Sequence, residues 1–217
     1  MATIHHTTLT PGKLELLAGW LPGQRWYRGG RSPALAKAGG FRLDDPDGQV
    51  GIEMMIVADA DGTRYLVPMS YRGAPLPAAD GALIGTSEHG VLGRRWIYDA
   101  LHDPVAVAQL LALAAGQVDA QHQDTSDTVD GSVRPAPPLP DPAAAAQPLS
   151  VVETTAGTSV ALQPEDLSMH LVRVLTDETT HDDELVAPVE ADVPGVGRRR
   201  VLLVLDRISR ISMASGQ

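Results

Sequence analysis

The most constraining feature of the sequence is a β-hairpin pattern. Residues 50–58 (VGIEMMIVA) and 63–71 (TRYLVPMSY) are both rich in strand-forming side chains, and they flank a short polar segment that ends in Asp-Gly. The Asp-Gly pair supplies the positive φ angle that a tight turn needs, so we predict two antiparallel strands joined by this turn. A similar polar segment at 44–48 predicts a turn after a further strand near residues 40–43. The three strands would form an antiparallel meander.

The first of these turns also has a weak resemblance to a metal loop. Asp59 and Asp61 have the spacing found at the start of calcium-binding loops, but Ser70 stands at the position where a bidentate glutamate is required. His5 and His6 are adjacent, so in a strand they would point to opposite faces and could not share one ion. We therefore expect no metal site and no cofactor.

Two or three helices are predicted to cover the sheet. The first, at 11–21, begins at a Thr-Pro pair, ends at a Pro-Gly pair and carries apolar residues at spacings of three and four. A second helical stretch spans 96–115, where a helix restarts at an Asp-Pro pair and is apolar nearly all round. The Gly- and Pro-rich residues 72–93 predict irregular structure. The predicted fold class is therefore α+β, an antiparallel sheet covered by helices.

Composition divides the chain into three parts. Residues 1–117 contain the patterns described so far and form the first predicted domain. Residues 118–148 are acidic and rich in Pro and Ala, so few of them can bury apolar area, and they predict a flexible linker. Residues 149–217 contain further strand patterns, and the run at 200–208 is apolar on both faces, as expected of an inner strand. This last part is short for an independent fold, so we expect it to complete the first sheet.

Charge and composition narrow the classes of partner. The chain has a formal net charge of −10, and 16 of its 27 acidic residues follow residue 117. A negatively charged chain is poorly suited to nucleic acid or to an anionic membrane, so we expect neither partner. There is no cysteine, no segment with the roughly 20 apolar residues of a membrane helix and no signal-peptide pattern at the N-terminus. We expect a cytoplasmic protein.

The chemistry-bearing residues form no familiar catalytic motif. The sequence contains no P-loop, no HExxH helix and no GxSxG elbow. Two segments instead mix arginine, aromatic and glycine residues, a combination suited to sugar or phosphate recognition. The alternative is structural, with the tryptophans as core anchors and the arginines stacked on them or paired with the carboxylates. We predict a ligand or partner surface with the candidate residues Gln24, Arg25, Trp26, Tyr27, Arg28, Arg31, Glu88, His89, Arg94, Arg95, Trp96 and Asp99.

These residues resemble the N-terminal cap region of actinobacterial maltokinases. Such kinases begin with a short helix, a Trp-Leu-x-x-Gln-Arg-Trp-aromatic corner and an antiparallel sheet, and residues 20–27 (WLPGQRWY) match this corner. Segments at 67–72, 83–86 and 89–104 match in the same order, so the resemblance covers roughly residues 1–116. It implies a cystatin-like cap architecture and a place in maltose, trehalose and α-glucan metabolism.

The resemblance also implies a cap without the kinase catalytic lobe, because no His-Gly-Asp-type loop with its lobe follows. We therefore favour a non-enzymatic binding or regulatory module whose partner is an α-glucan-pathway enzyme or a maltooligosaccharide. One alternative is a small enzyme acting on α-glucans or maltooligosaccharides through Glu88 and Asp99, as the glucan-branching label of similar short proteins implies. A second alternative is that residues 154–159 are a remnant of a kinase loop that covers the nucleotide. In this alternative Arg173 stands where such kinases have a lysine on a strand. A third is a purely structural dimer.

Overall fold

The computed structural model describes residues 8–135, 147–163, 167–176, 188–194 and 200–207. These ranges contain the helices α1 (Lys13–Trp20) and α2 (Pro104–Ala114), with 3-10 turns at Leu21–Gly23, Pro77–Ala82 and Ala100–His102. Their strands are β1 (Leu9–Thr10), β2 (Ala36–Asp44), β3 (Val50–Ala58), β4 (Arg64–Arg72), β5 (Leu83–His89), β6 (Gly93–Asp99), β7 (Gln121–His122), β8 (Val133–Pro135), β9 (Gln147–Glu153), β10 (Gly157–Gln163), β11 (Leu167–Val172), β12 (Val174–Leu175), β13 (Val189–Ala191) and β14 (Arg200–Arg207).

The first sheet has the strand order β1-β5-β6-β4-β3-β2-β7, and β12 pairs with the beginning of β4. All of these pairs are antiparallel, and the predicted meander is confirmed as β2, β3 and β4. Turn chemistry closes the β2–β3 connection, because the buried Asp45 carboxylate accepts bonds from the N–H groups of Asp47, Gln49 and Val50. The local polar segments therefore do what their composition predicts.

The first sheet is the middle layer of the molecule. Alternate side chains of a strand point to opposite faces, and both faces of β3 are apolar. On one face, Leu17 of α1 and Met55 of β3 belong to a cluster around Trp26. On the other face, Ile52 and Met54 pack in a larger cluster with α2 and the second sheet.

The second sheet has the strand order β8-β13-β14-β11-β10-β9 and is also antiparallel. The predicted inner strand is confirmed, since β14 lies between β13 and β11. We expected residues 149–217 to complete the first sheet, but among their described strands only β12 does so, and the others build the second sheet. The chain changes sheets at Arg173: pairing with β10 ends at Val172, and the Arg173 carbonyl accepts a bond from the N–H of Leu66 (2.9 Å).

Two predictions for the segment before α2 are wrong. The predicted helical stretch does not begin at residue 96, because Gly93–Asp99 forms β6 and pairs with β5 on one edge and β4 on the other. The partners on both edges override a weak helical pattern. The segment 72–93 is not irregular throughout, since it contains β5 and a 3-10 turn. The helix begins only after Asp103, whose side chain accepts a bond from the N–H of Val105 (3.0 Å).

The first predicted helix is confirmed as α1, with a later start. Its N-cap is Gly12 rather than Thr10, because Leu9 and Thr10 form β1 and pair with β5. The N–H of Gly12 donates to the carboxylate of Glu15 (3.4 Å). Neither α1 nor α2, the α-helices of the described ranges, has the length and hydrophobicity that a bilayer-spanning helix needs.

The predicted linker at 118–148 contains regular structure in its described part. Within residues 118–135, β7 joins the first sheet and β8 joins the second. Residues 136–146, which hold most of the Pro- and Ala-rich run, lie outside the described residues. This part of the chain thus contributes a strand to each sheet.

Candidate functional site

The corner between α1 and β2 is held by short-range hydrogen bonds. The 3-10 turn at Leu21–Gly23 follows α1 directly, and the side-chain amide of Gln24 donates to the carbonyl of Trp20 (3.1 Å). The N–H of Tyr27 donates to the Gln24 carbonyl (3.2 Å). These bonds turn the chain so that Trp26 enters the core, where it is 1% exposed.

A buried charged cluster surrounds the Trp26 ring. The guanidinium carbon of Arg173 lies 4.9 Å from the ring centroid, within the range of a cation–π contact. Arg173 Nη2 donates to Asp99 Oδ2 (2.5 Å), and Arg173 Nε donates to the hydroxyl of Thr158 (2.8 Å). The Arg173 and Asp99 side chains are 0% and 1% exposed, so the ion pair is sealed from solvent. The cluster joins β6 of the first sheet to β10 of the second.

Aromatic rings extend this cluster toward the surface. The ring centroid of Trp26 lies 5.9 Å from that of Trp20 and 6.2 Å from that of Tyr65, and the Tyr27 ring lies 5.0 Å from Tyr65. The Tyr65 hydroxyl donates to Asp59 (3.0 Å). Burial and this carboxylate together raise the pKa of Tyr65 to about 12. The tyrosine is therefore a neutral hydrogen-bond donor at physiological pH.

The arginines of the corner remain accessible. Arg25, Arg28 and Arg31 are all exposed, and Arg25 Nη1 makes a long bond to the carbonyl of Glu153 on β9 (3.4 Å). Since β9 belongs to the second sheet, this contact places the corner beside both sheets. The corner thus has a buried aromatic base and a cationic surface.

The second predicted segment forms the β5–β6 hairpin. At its end, Arg94 Nε donates to Glu88 (2.8 Å), but the two side chains are 62% and 59% exposed, so the pair contributes little to stability. His89 Nδ1 accepts the backbone N–H groups of Val91 and Leu92 (3.3 and 3.0 Å), which holds the tip in one conformation.

The inner part of this hairpin packs against the protein. Arg95 Nη2 donates to the Leu92 carbonyl (3.2 Å), and Trp96 packs against a small cluster that contains Tyr98. Trp96 is therefore partly a packing residue, as the structural alternative proposed. The residues with the most accessible side chains lie at the tip.

The structure brings together only part of the predicted surface. Trp26 and Asp99 meet through Arg173, yet both are buried, so neither is an accessible contact residue. For these two residues the structural alternative is the one that the geometry supports. Glu88, His89 and Arg94 lie at the tip of the β5–β6 hairpin instead.

The proposed catalytic pair of Glu88 and Asp99 is not assembled. Glu88 lies opposite Arg94 on β6, and Asp99 follows Arg94 by five positions on the same strand, which corresponds to about 17 Å. A pair of glycosidase carboxylates needs a separation of about 5–9.5 Å. In addition, both oxygens of Asp99 are engaged, one by Arg173 and the other by the N–H of Leu101 (3.2 Å).

The nucleotide-loop alternative also conflicts with the geometry. The β9–β10 turn is tight, and the hydroxyl of Thr154 accepts the N–H groups of Ala156 and Gly157 (3.2 Å each). These amides are therefore not free to bind phosphate. The Arg173 guanidinium is buried against Asp99 and cannot reach a ligand in solvent.

A second buried network lies on the α1 face of the first sheet. Glu53 is 4% exposed and accepts bonds from Lys13 (2.7 Å), the Tyr71 hydroxyl (2.5 Å) and the Gln123 amide (2.7 Å). Burial alone would raise the pKa of Glu53, but the Lys13 charge and the three donors hold it below its usual value. Burial, followed by the charge of Glu53, raises the pKa of Tyr71 well above its ordinary value. The network fastens α1 to β3.

Sequence reasoning did not identify Arg173, Thr158 or Glu53 as members of buried clusters. A signal was present for two of them, because Glu53 is a single charge on an otherwise apolar face of β3, and Arg173 alternates with the apolar Leu171 and Leu175 in the sequence. A charge on such a face needs a partner when it is buried. The partners themselves come from distant parts of the chain.

Neither a metal site nor a cavity is found at the predicted surface in the described part of the chain. Within the described ranges no group of three or more His, Asp or Glu side chains could hold a metal ion. A cavity of about 420 Å³ lies beside the C-terminal end of α2, and its lining includes Leu113, Val118, Val129, Asp130 and Arg134. None of the predicted surface residues lines it.

The fold and the site together define a β-rich domain whose helix-to-strand corner is anchored by a buried tryptophan. Residues 20–103 match the family model of the maltokinase N-terminal cap domain. The match begins at Trp20 and extends from the corner through β2 to β6, up to the cap of α2. The resemblance inferred from the motifs is thereby confirmed for this part of the chain.

Proposed function

We propose that this chain is a non-catalytic binding or regulatory module of maltose, trehalose and α-glucan metabolism, located in the cytoplasm. The match of residues 20–103 to the maltokinase cap family carries the proposal, because it covers the corner and most of the first sheet. We assign the cystatin-like cap architecture to this sheet. The packing of α1 across the sheet supports that assignment.

The accessible residues favour a protein partner over a glucan. Sugar recognition by stacking requires an open aromatic face, but Trp26 is buried. The tip of the β5–β6 hairpin instead exposes Val91 (63%) and Leu92 (45%), next to the charged pair of Glu88 and Arg94. Exposed apolar side chains with a polar rim are typical of protein interfaces.

The tip is also preorganised for binding. The two bonds to His89 Nδ1 fix the backbone on which Val91 and Leu92 sit. Little conformational entropy would then be lost when a partner covers them. We propose an α-glucan-pathway enzyme as this partner, with Arg25, Arg28 and Arg31 of the corner as a second accessible surface.

Binding to purified enzymes tests the proposal. The full chain would be used to capture α-glucan-pathway enzymes, and each captured enzyme would then be purified and titrated with the chain by calorimetry. The double variant Val91→Ser/Leu92→Ser should weaken the complex about tenfold or more, because a buried apolar side chain contributes about 1.5–3 kcal/mol. Val129→Ser is the matched control, since Val129 is similarly exposed (57%) and lies outside both predicted segments.

Saccharides and ATP test the remaining alternatives in the same instrument. We expect no turnover with maltose, maltooligosaccharides, trehalose or ATP. If the chain binds a maltooligosaccharide saturably and forms no enzyme complex, the partner is a glucan and not a protein. Turnover of a saccharide or of ATP by the purified chain would contradict the non-catalytic role.

A further inference from the structure

The loop that follows Tyr27 has the composition of an oxyanion site. Its sequence from Arg28 to Ser32 is Arg-Gly-Gly-Arg-Ser, so two guanidinium groups and a hydroxyl flank two glycines. Both arginines are exposed, and neither is ion-paired with a carboxylate of the described residues. Guanidinium groups bind phosphate oxygens in a bidentate geometry that lysine cannot match.

The backbone of the loop adds further donors. None of the N–H groups of Gly29, Gly30, Arg31 and Ser32 donates a hydrogen bond to another group in the part of the chain that the structure describes. These consecutive N–H groups and the neighbouring arginines place several hydrogen-bond donors close together, with no protein acceptor for the N–H groups. Such a set matches the oxygens of a tetrahedral anion.

The Tyr27 hydroxyl accounts for the first of the two glycines of the loop. The Tyr27 hydroxyl is buried and has no hydrogen-bond partner among the described residues. It lies directly beneath the loop, because a Cβ atom on Gly29 would come within 2.2 Å of it. Gly29 is therefore required for packing on Tyr27, whereas a Cβ on Gly30 would meet nothing within 4 Å. The backbone at Gly30 is therefore open to solvent.

We propose that residues 28–32 bind a phosphate group, either free inorganic phosphate or the phosphomonoester of a small ligand. Arg28 and Arg31 supply the charge, and the N–H groups of Gly30 to Ser32 supply further donors. The inference rests on the proposed function only in using the same corner as a binding surface. It requires neither a glucan nor a partner enzyme.

Carboxylates near the loop should weaken the binding of an anion there. Burial, followed by the charges of Asp59 and Asp61, raises the pKa of Tyr27, so both carboxylates act on this corner. Asp59 is engaged by the hydroxyl of Tyr65 and by turn N–H groups, whereas the exposed Asp61 side chain accepts no hydrogen bond from the described residues. Asp61 should therefore repel an anion bound at the loop, and its neutralisation should strengthen binding.

The test is a titration of the full chain with inorganic phosphate. The backbone amide signals of residues 29–32 in NMR spectra report binding. We expect saturable shifts of these signals with a Kd on the order of 1 mM. Arg28→Gln/Arg31→Gln should weaken binding about tenfold or more, and Gly30→Val should weaken it by blocking approach to the backbone. Asp61→Asn should strengthen it. Thermal unfolding of each variant confirms that the fold is retained.

Matched controls lie at the opposite edge of the second sheet from the corner. Arg134→Gln removes an exposed arginine and Gly131→Ala fills an equally open glycine, and neither should change the titration. Glucose 6-phosphate in place of phosphate distinguishes the two sources: tighter binding identifies a phosphomonoester ligand, and equal binding identifies free phosphate. Shifts outside the loop, equal loss in the control variants, no saturation, or equal binding of acetate would each overturn the phosphate site.

Discussion

Two arginine–carboxylate pairs lie near the two ends of β6, and their environments are opposite. Arg173 and Asp99 are 0% and 1% exposed, and the pair is surrounded by Trp26 and Thr158. Arg94 and Glu88 are 62% and 59% exposed. The residue types are the same, so the difference shows that burial decides whether such a pair holds the fold together or remains available to a partner. The buried end joins the two sheets, and the exposed end is a surface.

Removal of the Trp26 ring, which lies against the buried ion pair of Arg173 and Asp99, should have the largest effect on stability. Trp26→Ala should lower the free energy of unfolding by about 4–5 kcal/mol, because it leaves a large cavity and removes the ring beneath the Arg173 guanidinium. Urea denaturation monitored by far-UV circular dichroism measures the loss. A loss of less than 1 kcal/mol would show that the ring is not a core anchor.

Removal of one partner of the buried ion pair should have the next largest effect. Asp99→Ala should lower the free energy of unfolding by about 3–4 kcal/mol, because the charge of Arg173 is then buried without compensation. The double variant Asp99→Leu/Arg173→Met is the control and should recover most of the loss, since it removes both charges and keeps the volume. If the double variant is no more stable than Asp99→Ala, the charge is not the cause.

The buried network around Glu53 should have an intermediate effect with a defined pH dependence. Glu53→Gln should cost about 1.5–3 kcal/mol at pH 7, with a discount because its partner Lys13 is 34% exposed. The folded-state pKa of Glu53 lies below its unfolded value, so its contribution is complete above about pH 4.3 and disappears as the pH falls through the folded pKa. Urea midpoints measured from pH 7 to pH 3 should therefore converge for the wild type and the variant. A constant difference over that range would exclude this carboxylate as the titrating group.

Features that depend on neighbouring residues were predicted from the sequence, and contacts between residues far apart in the chain were missed. The meander followed from turn residues next to the strands that they connect, and Trp26 stood out because the match to the cap corner is a local motif. The partner of Asp99 is 74 positions away, and no periodicity contains that distance. The strand β6 was mistaken for a helix because its two partner strands, and not its own residues, determine its conformation. The assignment of Asp99 to an accessible surface failed for the same reason.

The exposed pair should show the smallest effect. Glu88→Gln should change the free energy of unfolding by about 0.2–1 kcal/mol, because both side chains remain largely solvated. The change should decrease further at 1 M salt, where the Debye length is about 3 Å, and the Asp99→Ala loss should remain nearly constant. Urea denaturation of both variants at low and high salt measures this contrast. If the two variants lose stability to the same extent and with the same salt dependence, burial does not separate the two ends of β6, and the hairpin tip is a structural element like the Trp26 cluster.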